Sequence, residues 1–567
     1  AKPTGIKQAL NITLYGRDNY IEFHQAISLR QLINSAIELT PNFSPAHYVV
    51  TELNKQFNGY KEAILGPDIS DRRNVINKLM TTEAIKEAIL NESIHKKISI
   101  NEAENLAHKY IDEIVSDFSY STLRFAEIAL TKLWTQLYDG IEVHNFDTVR
   151  ELAKDYEIVY TPCHRSHIDY LLLSYVIYNR GLMVPHIAAG INLNMPIVGQ
   201  LMRGAGAYFI RRSFNGNALY TAVFKEYIYS MLNRNTPMEY FIEGGRSRTG
   251  LLLPPKKGML AMTIQSYLRG NSKPIAFIPT YFGYEKLIEG SSYIKELGGQ
   301  KKQAESLFGL LKSIQKIEKV FGVVHVNLGE PVFLEDILQK NQAPQHVGLH
   351  DEIPDSVKST VNDVAIDILE NINKAVVINP ISLISLVLLN APTHSLAERE
   401  VLVRLEQFRN LLKHHRYDDR MQITELSNKE IIQYAMKLKQ VELIEHDNER
   451  WVKVSDIQVG LLKYFSNNIL HTFILPALIA KVFKQHTEEQ MFKIEKSTLC
   501  SQVIEQYPLI HKAFFLKWDE TEVDTQIEYV LDYFRAEKLI DINADQIISI
   551  SNADPKIRLL SALAHLY

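Results

Sequence analysis

Cysteine is almost absent: Cys163 and Cys500 are the only two in 567 residues, and they lie far apart. That excludes a disulfide framework and a cysteine-built metal cluster, and it fits a reducing compartment. Charge imbalance is absent too. Lys and Arg number 62 and Asp and Glu 66, for a net charge of -4 at pH 7. A chain so balanced is no polyanion binder, so nucleic acid is not a partner and any phosphate site must be local. No stretch reaches the ~18 consecutive apolar residues of a membrane-spanning helix. The two richest runs are short: Val376–Leu389 is broken by Asn379 and Pro380, and Phe473–Phe483 by Pro476. No signal peptide, internal repeat or low-complexity segment is visible. The chain opens on Ala1 rather than methionine, which points to a trimmed N-terminus. No histidines sit in a closed ligand spacing, so neither metal nor cofactor is expected.

What is present is ordinary globular material, 46% hydrophobic and 23% charged, enough for about two to four domains. Residues 1–145 read mainly as helices, with Asn101–Tyr138 as one long helix at 3.6-residue spacing. From 146 to 335 short apolar runs alternate with amphipathic stretches. The runs are Ile158–Thr161, His186–Ala189, Ala205–Ile210, Met238–Ile242, Ile275–Tyr281 and Val323–Asn327. Such alternation predicts an α/β domain with a mixed or parallel sheet. After the polar loop Gln339–Pro354, residues 336–567 read as a helical region. The expected architecture is thus α/β, a central mixed sheet flanked by N-terminal and C-terminal helical regions.

The chemistry concentrates in His164-Arg-Ser-His-Ile-Asp169, between a strand-like run and a helix-like run. A histidine with an aspartate beyond four intervening residues can act as a base and its orienter, drawing the proton from a hydroxyl. Five residues of continuous helix rotate by roughly 500°, so the two would not share a face. They meet only if His164 lies in a turn and the helix begins after it. Ser166-x-x-Asp169 reads as a capping box that supplies this start, with Ser166 as N-cap and Asp169 at N3. The nearby helix N-terminus disfavours an imidazolium at His164. On spacing alone, Asp169 as a mere cap and His164 as a turn histidine is an equal reading. Cys163 is read as a small buried residue at the strand end rather than a nucleophile.

Three further segments carry chemistry. In Glu243-Gly-Gly-Arg-Ser-Arg-Thr249, Gly244 and Gly245 allow close backbone approach, and Arg246, Ser247, Arg248 and Thr249 offer phosphate donors. Glu243 can accept from a polyol. In Gly206-Ala-Tyr-Phe-Ile-Arg211-Arg212, alternation puts Arg211 and Arg212 on opposite faces, so one of them faces a site at the sheet edge. In Ile278-Pro279-Thr-Tyr281-Phe-Gly283-Tyr284, Pro279 and Gly283 shape the backbone. Tyr281 and Tyr284 either wall a pocket or pack in the core. Solvated surface arginines are the plain alternative for both basic segments.

In this order, the four segments resemble the blocks of the glycerolipid acyltransferase superfamily. The likeness is closer to the bacterial membrane-bound glycerol-3-phosphate acyltransferases, the PlsB family. It extends to HIAAGINLNMP at 186–196, GNALYTAVFKEY at 216–227, and the flanks Ser119–Glu127 and Asn467–Pro476. The resemblance implies that residues 146–335 form the acyltransferase domain. It implies transfer of a fatty acyl group from acyl-CoA or acyl carrier protein thioester to the sn-1 hydroxyl of glycerol 3-phosphate. The product would be lysophosphatidic acid, the first intermediate of phospholipid synthesis. By the same likeness His164 is the base and Asp169 its orienter. Arg211, Arg212, Glu243, Gly244, Gly245, Arg246 and Ser247 bind glycerol phosphate, and Pro279 shapes the site or the acyl-donor region. The implied location is the cytoplasmic face of a bacterial inner membrane, peripheral or monotopic. The lipid surface would be met by Asn194–Arg203, Val376–Leu389 or Phe473–Phe483, each of which also reads as core. Lysophosphatidate or dihydroxyacetone phosphate as acceptor, thioester hydrolysis by water, and a non-catalytic scaffold stay open. The chain departs from the family in lying inside its usual ends, in a shorter loop near His414–Met421, and in Lys257 where threonine is usual. Oligomeric state is not implied.

Overall fold

Strands apolar on both faces must be covered on both, and Glu157–Pro162 (β2) and Ile275–Tyr284 (β6) are buried at every position. They pair in parallel at the centre of an eight-stranded sheet. The computed structural model describes residues 28–39, 45–65, 72–214, 216–270, 273–297, 321–391, 393–446, 448–454, 458–485, 491–551 and 558–566. Adding Gly140–His144 (β1), His186–Gly190 (β3), Tyr208–Ile210 (β4), Met238–Glu239 (β5), Val323–Leu328 (β7) and Val332–Phe333 (β8), the strand order is β1-β7-β6-β2-β5-β3-β4, with β8 on β6. β2 to β6 run parallel to one another. β7 is antiparallel to β6, and β1 is parallel to β7, so the sheet is mixed. The loops that leave the carboxyl ends of β2, β4 and β5 therefore emerge on one edge, where open α/β sheets bind ligands. His164, Arg211 and Glu243 stand in those loops.

Several boundaries differ from the sequence reading. The sheet begins before residue 146, because β1 lies within the stretch read as helical and pairs with β7 from Gly140↔Val323 to His144↔Asn327. The long helix Asn101–Tyr138 is two helices, Ile100–Ile114 and Tyr120–Leu137. Its break is sustained by tertiary bonds. Arg203 donates to the Glu113 and Val115 carbonyls, Tyr227 Oη accepts the Ser116 N–H at 3.2 Å, and Ser119 caps the second helix. The run Met238–Ile242 keeps only Met238–Glu239 as strand, and Ala205–Ile210 starts at Tyr208 because Ala205 closes the helix Val198–Gly204.

The C-terminal region is mainly helical but also contains two three-stranded sheets and one of two strands among the described residues. The helix Pro380–Leu389, capped by Asn379, is buried from Pro380 to Leu388. A helix apolar on all sides belongs in a core, and this one packs against Val459–Ile469. Ile474, Leu475, Ala477, Leu478, Ile479, Val482 and Phe483 are buried as well. Neither Val376–Leu389 nor Phe473–Phe483 is therefore available to a lipid surface. No helix among the described residues is long and apolar enough to cross a membrane. One hydrophobic core runs from Val75 to Ala564 and joins the sheet to the C-terminal helices. A separate small cluster joins Tyr170, Ile187, Ala189, Met202, Ala207 and Phe209, with Phe241 and Val198 packed on it.

Candidate active site

β2 ends at Pro162, and the chain turns before the helix Asp169–Asn179. Cys163 fills the strand end: it is buried, its sulfur accepts the Phe282 N–H at 3.3 Å, and burial pushes its thiol up to about 12. His164 follows, and its Nδ1 stands 3.0 Å from Asp169 Oδ2. The same Oδ2 accepts the Arg165 and Ser166 N–H groups at 2.6 and 2.9 Å, while Oδ1 accepts the Tyr284 hydroxyl at 2.6 Å. A fully buried carboxyl group with this many donors is held in one orientation. Being an acceptor, it places the proton on Nδ1 and leaves Nε2 as the basic nitrogen. Among the described residues Nε2 has no hydrogen-bond partner, and the His164 side chain keeps 15% exposure.

The helix start differs from the expected capping box. The N-cap is Ile168 and Asp169 is the first helical residue. Only the reciprocal half of the box forms, from the Asp169 carboxylate back to Ser166 N–H. The Ser166 hydroxyl donates instead to Glu289, which also accepts the His167 N–H at 2.7 Å. His164 is shifted below the usual histidine range chiefly by burial; Asp169 opposes this, and Arg246 and Arg248 add to it. Burial and neighbouring cations thus stand where the helix N-terminus had been invoked. The ring is stacked on Phe241 with centroids 3.8 Å apart.

The glycine-rich loop after β5 is the second wall. Glu243 is buried, and its two oxygens accept the His164 and Leu253 N–H groups, each at 2.8 Å. It acts as a strut under His164 rather than as a free acceptor, and burial raises its carboxyl to about 7. Gly244 has φ +62, and a Cβ there would meet Lys256 Cγ at 2.6 Å. Gly245 has open space where its Cβ would be. Ser247 N–H bonds the His164 carbonyl at 2.9 Å, and its hydroxyl closes the turn onto the Leu251 carbonyl at 2.6 Å. Arg246 is nearly buried, 3.6 Å from Glu289 and 3.1 Å from the Tyr293 hydroxyl. Arg248 pairs with Glu296. Gly250, at φ +88, leaves no room for a Cβ, which would stand 2.1 Å from the Tyr464 carbonyl.

Direct bonds therefore unite His164, Asp169, Glu243 and Ser247. Arg246 joins them through Glu289 and through Tyr293, whose hydroxyl donates to the Arg165 carbonyl at 2.8 Å. Arg211 is engaged elsewhere: it grips Glu113 with two bonds of 2.6 and 2.7 Å and lies between the rings of Tyr110 and Tyr220. Arg212 is exposed and in no ion pair among the described residues. Pro279 lies inside β6 opposite Thr161, buried in the sheet. Sequence reasoning missed Phe241, Glu289 and Tyr293, which follow no spacing rule, and it left Tyr284 between wall and core. Tyr284 binds Asp169 because β6 runs on past the end of β2. A cavity of about 690 Å³ opens between the helices Glu83–Lys96, Ala218–Leu232 and Gly258–Leu268 and includes none of these residues. The His and Glu groupings with metal-ligand proximity among the described residues also lie outside the site.

Known proteins match along the whole chain. Residues 293–567 match the glycerol-3-phosphate acyltransferase C-terminal region, 140–283 the acyltransferase family, and 1–66 the glycerol-3-phosphate acyltransferase PlsB N-terminal domain. A glycerol-3-phosphate acyltransferase of Ectopseudomonas mendocina is 36% identical over 99% of this chain and 67% of its own length. One from Pseudomonas fluorescens is 38% identical over 95% and 64%, and one from Pseudomonas aeruginosa 37% over 99% and 66%. The chain thus spans about two thirds of the length of these curated relatives. A solved acyltransferase structure from Thermotoga maritima covers 52% of this chain and 95% of its own at 15% identity, with a TM-score of 0.25, too low to bear on the fold.

Proposed function

Because the chain belongs to the glycerol-3-phosphate acyltransferase family, we propose that it transfers a fatty acyl group from a coenzyme A or acyl carrier protein thioester to the sn-1 hydroxyl of glycerol 3-phosphate. The product is lysophosphatidic acid. The observation that carries this reading is the His164–Asp169 contact, with Nε2 left open to a substrate hydroxyl. His164 Nε2 takes the hydroxyl proton while the oxygen attacks the thioester carbonyl carbon. The C–S bond breaks, and the departing thiolate receives the proton from the imidazolium. Asp169 holds the tautomer and stabilises the imidazolium without itself taking the proton, as in the serine-hydrolase triad with a substrate hydroxyl in place of serine. No cofactor is needed for this balance.

Arg246, with Gly244 turning the chain and the backbone open at Gly245, receives the phosphate, and the exposed Arg212, in no ion pair among the described residues, adds a second cation from the end of β4. Glu243 and Ser247 set the position of His164, Arg211 anchors its segment on Glu113, and Pro279 shapes β6. A charge-assisted clamp of this kind orients the acceptor, which can lower a barrier by several kcal/mol.

The acyl chain is apolar and the product amphiphilic, and a peripheral or monotopic position on the cytoplasmic face of the bacterial inner membrane suits them. Ile197 and Leu201, one helical turn apart, are 79% and 44% exposed. Their chain neighbours Val198 and Met202 belong to or pack on the small apolar cluster that reaches Phe241 under His164. Ile197 holds φ +70 and ψ -60 within a γ-turn closed by Val198 N–H to Pro196 O at 2.9 Å. For a β-branched residue this conformation is strained, as function-bearing segments often are. Ile197→Asp with Leu201→Asp should release the protein from anionic vesicles; unchanged co-sedimentation would reject this surface.

Lysophosphatidate formation from labelled glycerol 3-phosphate and palmitoyl-CoA tests the reaction, with wild type beside His164→Ala. A loss of several orders of magnitude in the variant supports the base. Retained activity moves the base elsewhere, His167 first. Faster turnover of lysophosphatidate or dihydroxyacetone phosphate in competition would change the acceptor, and free fatty acid as the sole product would make the enzyme a hydrolase.

A further inference from the structure

Away from the acyl-transfer site, the edge pair β1–β7 gathers three side chains that the proposed reaction does not use. Glu142 and His144 are two apart on β1 and so share a face of the sheet. His325 stands opposite Glu142 in the register, and opposite Gly283 on its other side. The His144 and His325 rings stack with centroids 5.8 Å apart and an interplanar angle of 16°. One oxygen of Glu142 and one nitrogen from each histidine lie within 4.8 Å of one another. His325 is buried, at 8% exposure.

The polar atoms here are paired by charge but not by well-aligned hydrogen bonds. His325 Nδ1 is 3.2 Å from Glu142 Oε2, and His144 Nε2 is 3.8 Å from the same oxygen. Yet among the described residues neither ring nitrogen of His325, nor His144 Nε2, makes a hydrogen bond of acceptable geometry, although all three are buried. Buried polar atoms without partners are rare in folded proteins. Two ligands each about 2.1 Å from a tetrahedral ion stand roughly 3.4 Å apart, near the spacing found here.

We propose that Glu142, His144 and His325 form a site for one divalent transition ion of the Zn²⁺, Co²⁺ or Ni²⁺ class. Two imidazoles and a carboxylate suit such ions and suit Mg²⁺ or Ca²⁺ poorly. Glu142, 55% exposed, gives the ion a path from solvent and leaves a coordination position for water. The second shell is in place as well. Glu285 Oε1 lies 4.0 Å from His325 Nε2, and Oε2 is fixed by Val323 N–H and the Tyr434 hydroxyl. A carboxylate beyond a ligating imidazole orients the ring. Bound there, the ion ties the edge strand β1 to β7 and raises the stability of the folded chain by mass action.

The test is titration of Co²⁺ into the chelator-treated full chain, followed by visible absorption and by thermal unfolding. One saturable equivalent with a d–d band and a raised Tm is expected. Glu142→Gln and His144→Gln, both partly exposed, should each weaken binding at least about 10-fold while leaving the metal-free Tm at the wild-type value. His350→Ala, in the exposed Glu83–Glu87–His350 grouping, should change nothing. Absence of saturable binding, binding indifferent to both β1 variants, or binding abolished by His350→Ala would overturn the site.

Discussion

At the residue scale, the proposed reaction depends on how firmly Asp169 is held. Its Oδ1 has one donor among the described residues, the Tyr284 hydroxyl. Tyr284→Phe leaves that buried acceptor unpaired, at a cost of about 1–3 kcal/mol. Turnover should fall roughly 10- to 100-fold, with KM for glycerol 3-phosphate nearly unchanged. Asp169→Asn should cost more, on the order of 10⁴ in kcat, because the amide favours the wrong tautomer, as it does in the serine-protease triad. Equal losses in the two variants would count against this division of roles. The pH profile follows from the same contacts. In the proposed reaction His164 acts as a neutral base, and burial holds it below its usual value of 6.5. The acid limb of kcat/KM for glycerol 3-phosphate should therefore fall below pH 6.5. A limb centred above 6.5 would mean that Asp169 outweighs burial.

At the element scale, the loop after β5 contains two glycines with opposite constraints. At Gly250 the positive φ and the Tyr464 carbonyl leave no room for a side chain. Gly250→Ala must displace the helix Val459–Ile469 or the loop, so several kcal/mol of stability should be lost. Gly245 faces open space. Gly245→Ala should keep Tm within a degree or two while raising KM for glycerol 3-phosphate by about 10-fold, if phosphate approaches that backbone. Urea melts and steady-state kinetics on both variants separate a packing glycine from a binding one. Periodicity found the strands but not their ends. The run Met238–Ile242 looks like one strand, yet its last residues leave the sheet because Gly244 turns the chain and Lys256 N–H takes the Ile242 carbonyl. The long-helix reading failed for a similar reason. Val115–Ser119 has helix-compatible residues, but Arg203 and Tyr227, distant in sequence, supply partners that make an open segment cheaper than helix.

At the scale of the whole molecule, the C-terminal half is part of the site's support. Asn467 donates to the Thr249 carbonyl at 2.8 Å, and Asn327 donates to the Ala375 and Arg420 carbonyls, each at 2.8 Å. Buried histidines are spread through the same body. His186, His415 and His471 are pushed down to about 3, 4 and 3, each chiefly by burial. A histidine whose folded value is depressed binds fewer protons folded than unfolded below pH 6.5. Stability is therefore fully present above 6.5 and declines as pH falls toward 4. Glu243 and Glu370, raised to about 7 chiefly by burial, act in the opposite sense, so the histidine contribution is read as a difference: the Tm of His471→Gln relative to wild type should rise as pH falls from 6.5 to 4.5. A difference that does not change with pH would show that His471 does not titrate on unfolding.

The order of chemical blocks, the α/β class, the balanced charge and the scarcity of cysteine were all legible in the chain, because each is carried by residue type and local spacing. The His164–Asp169 pairing was legible for the same reason: a strand, a turn and a helix start lie within a dozen residues. Only the tertiary structure decided that Arg211 serves Glu113, that Glu243 and Ser247 spend their polar atoms inside the loops, and that Tyr284 and Glu289 buttress the turn. It also placed both long apolar runs in the core and left Ile197 and Leu201 outside. Such outcomes depend on which distant segment supplies a partner or a cover, and no local pattern encodes that choice.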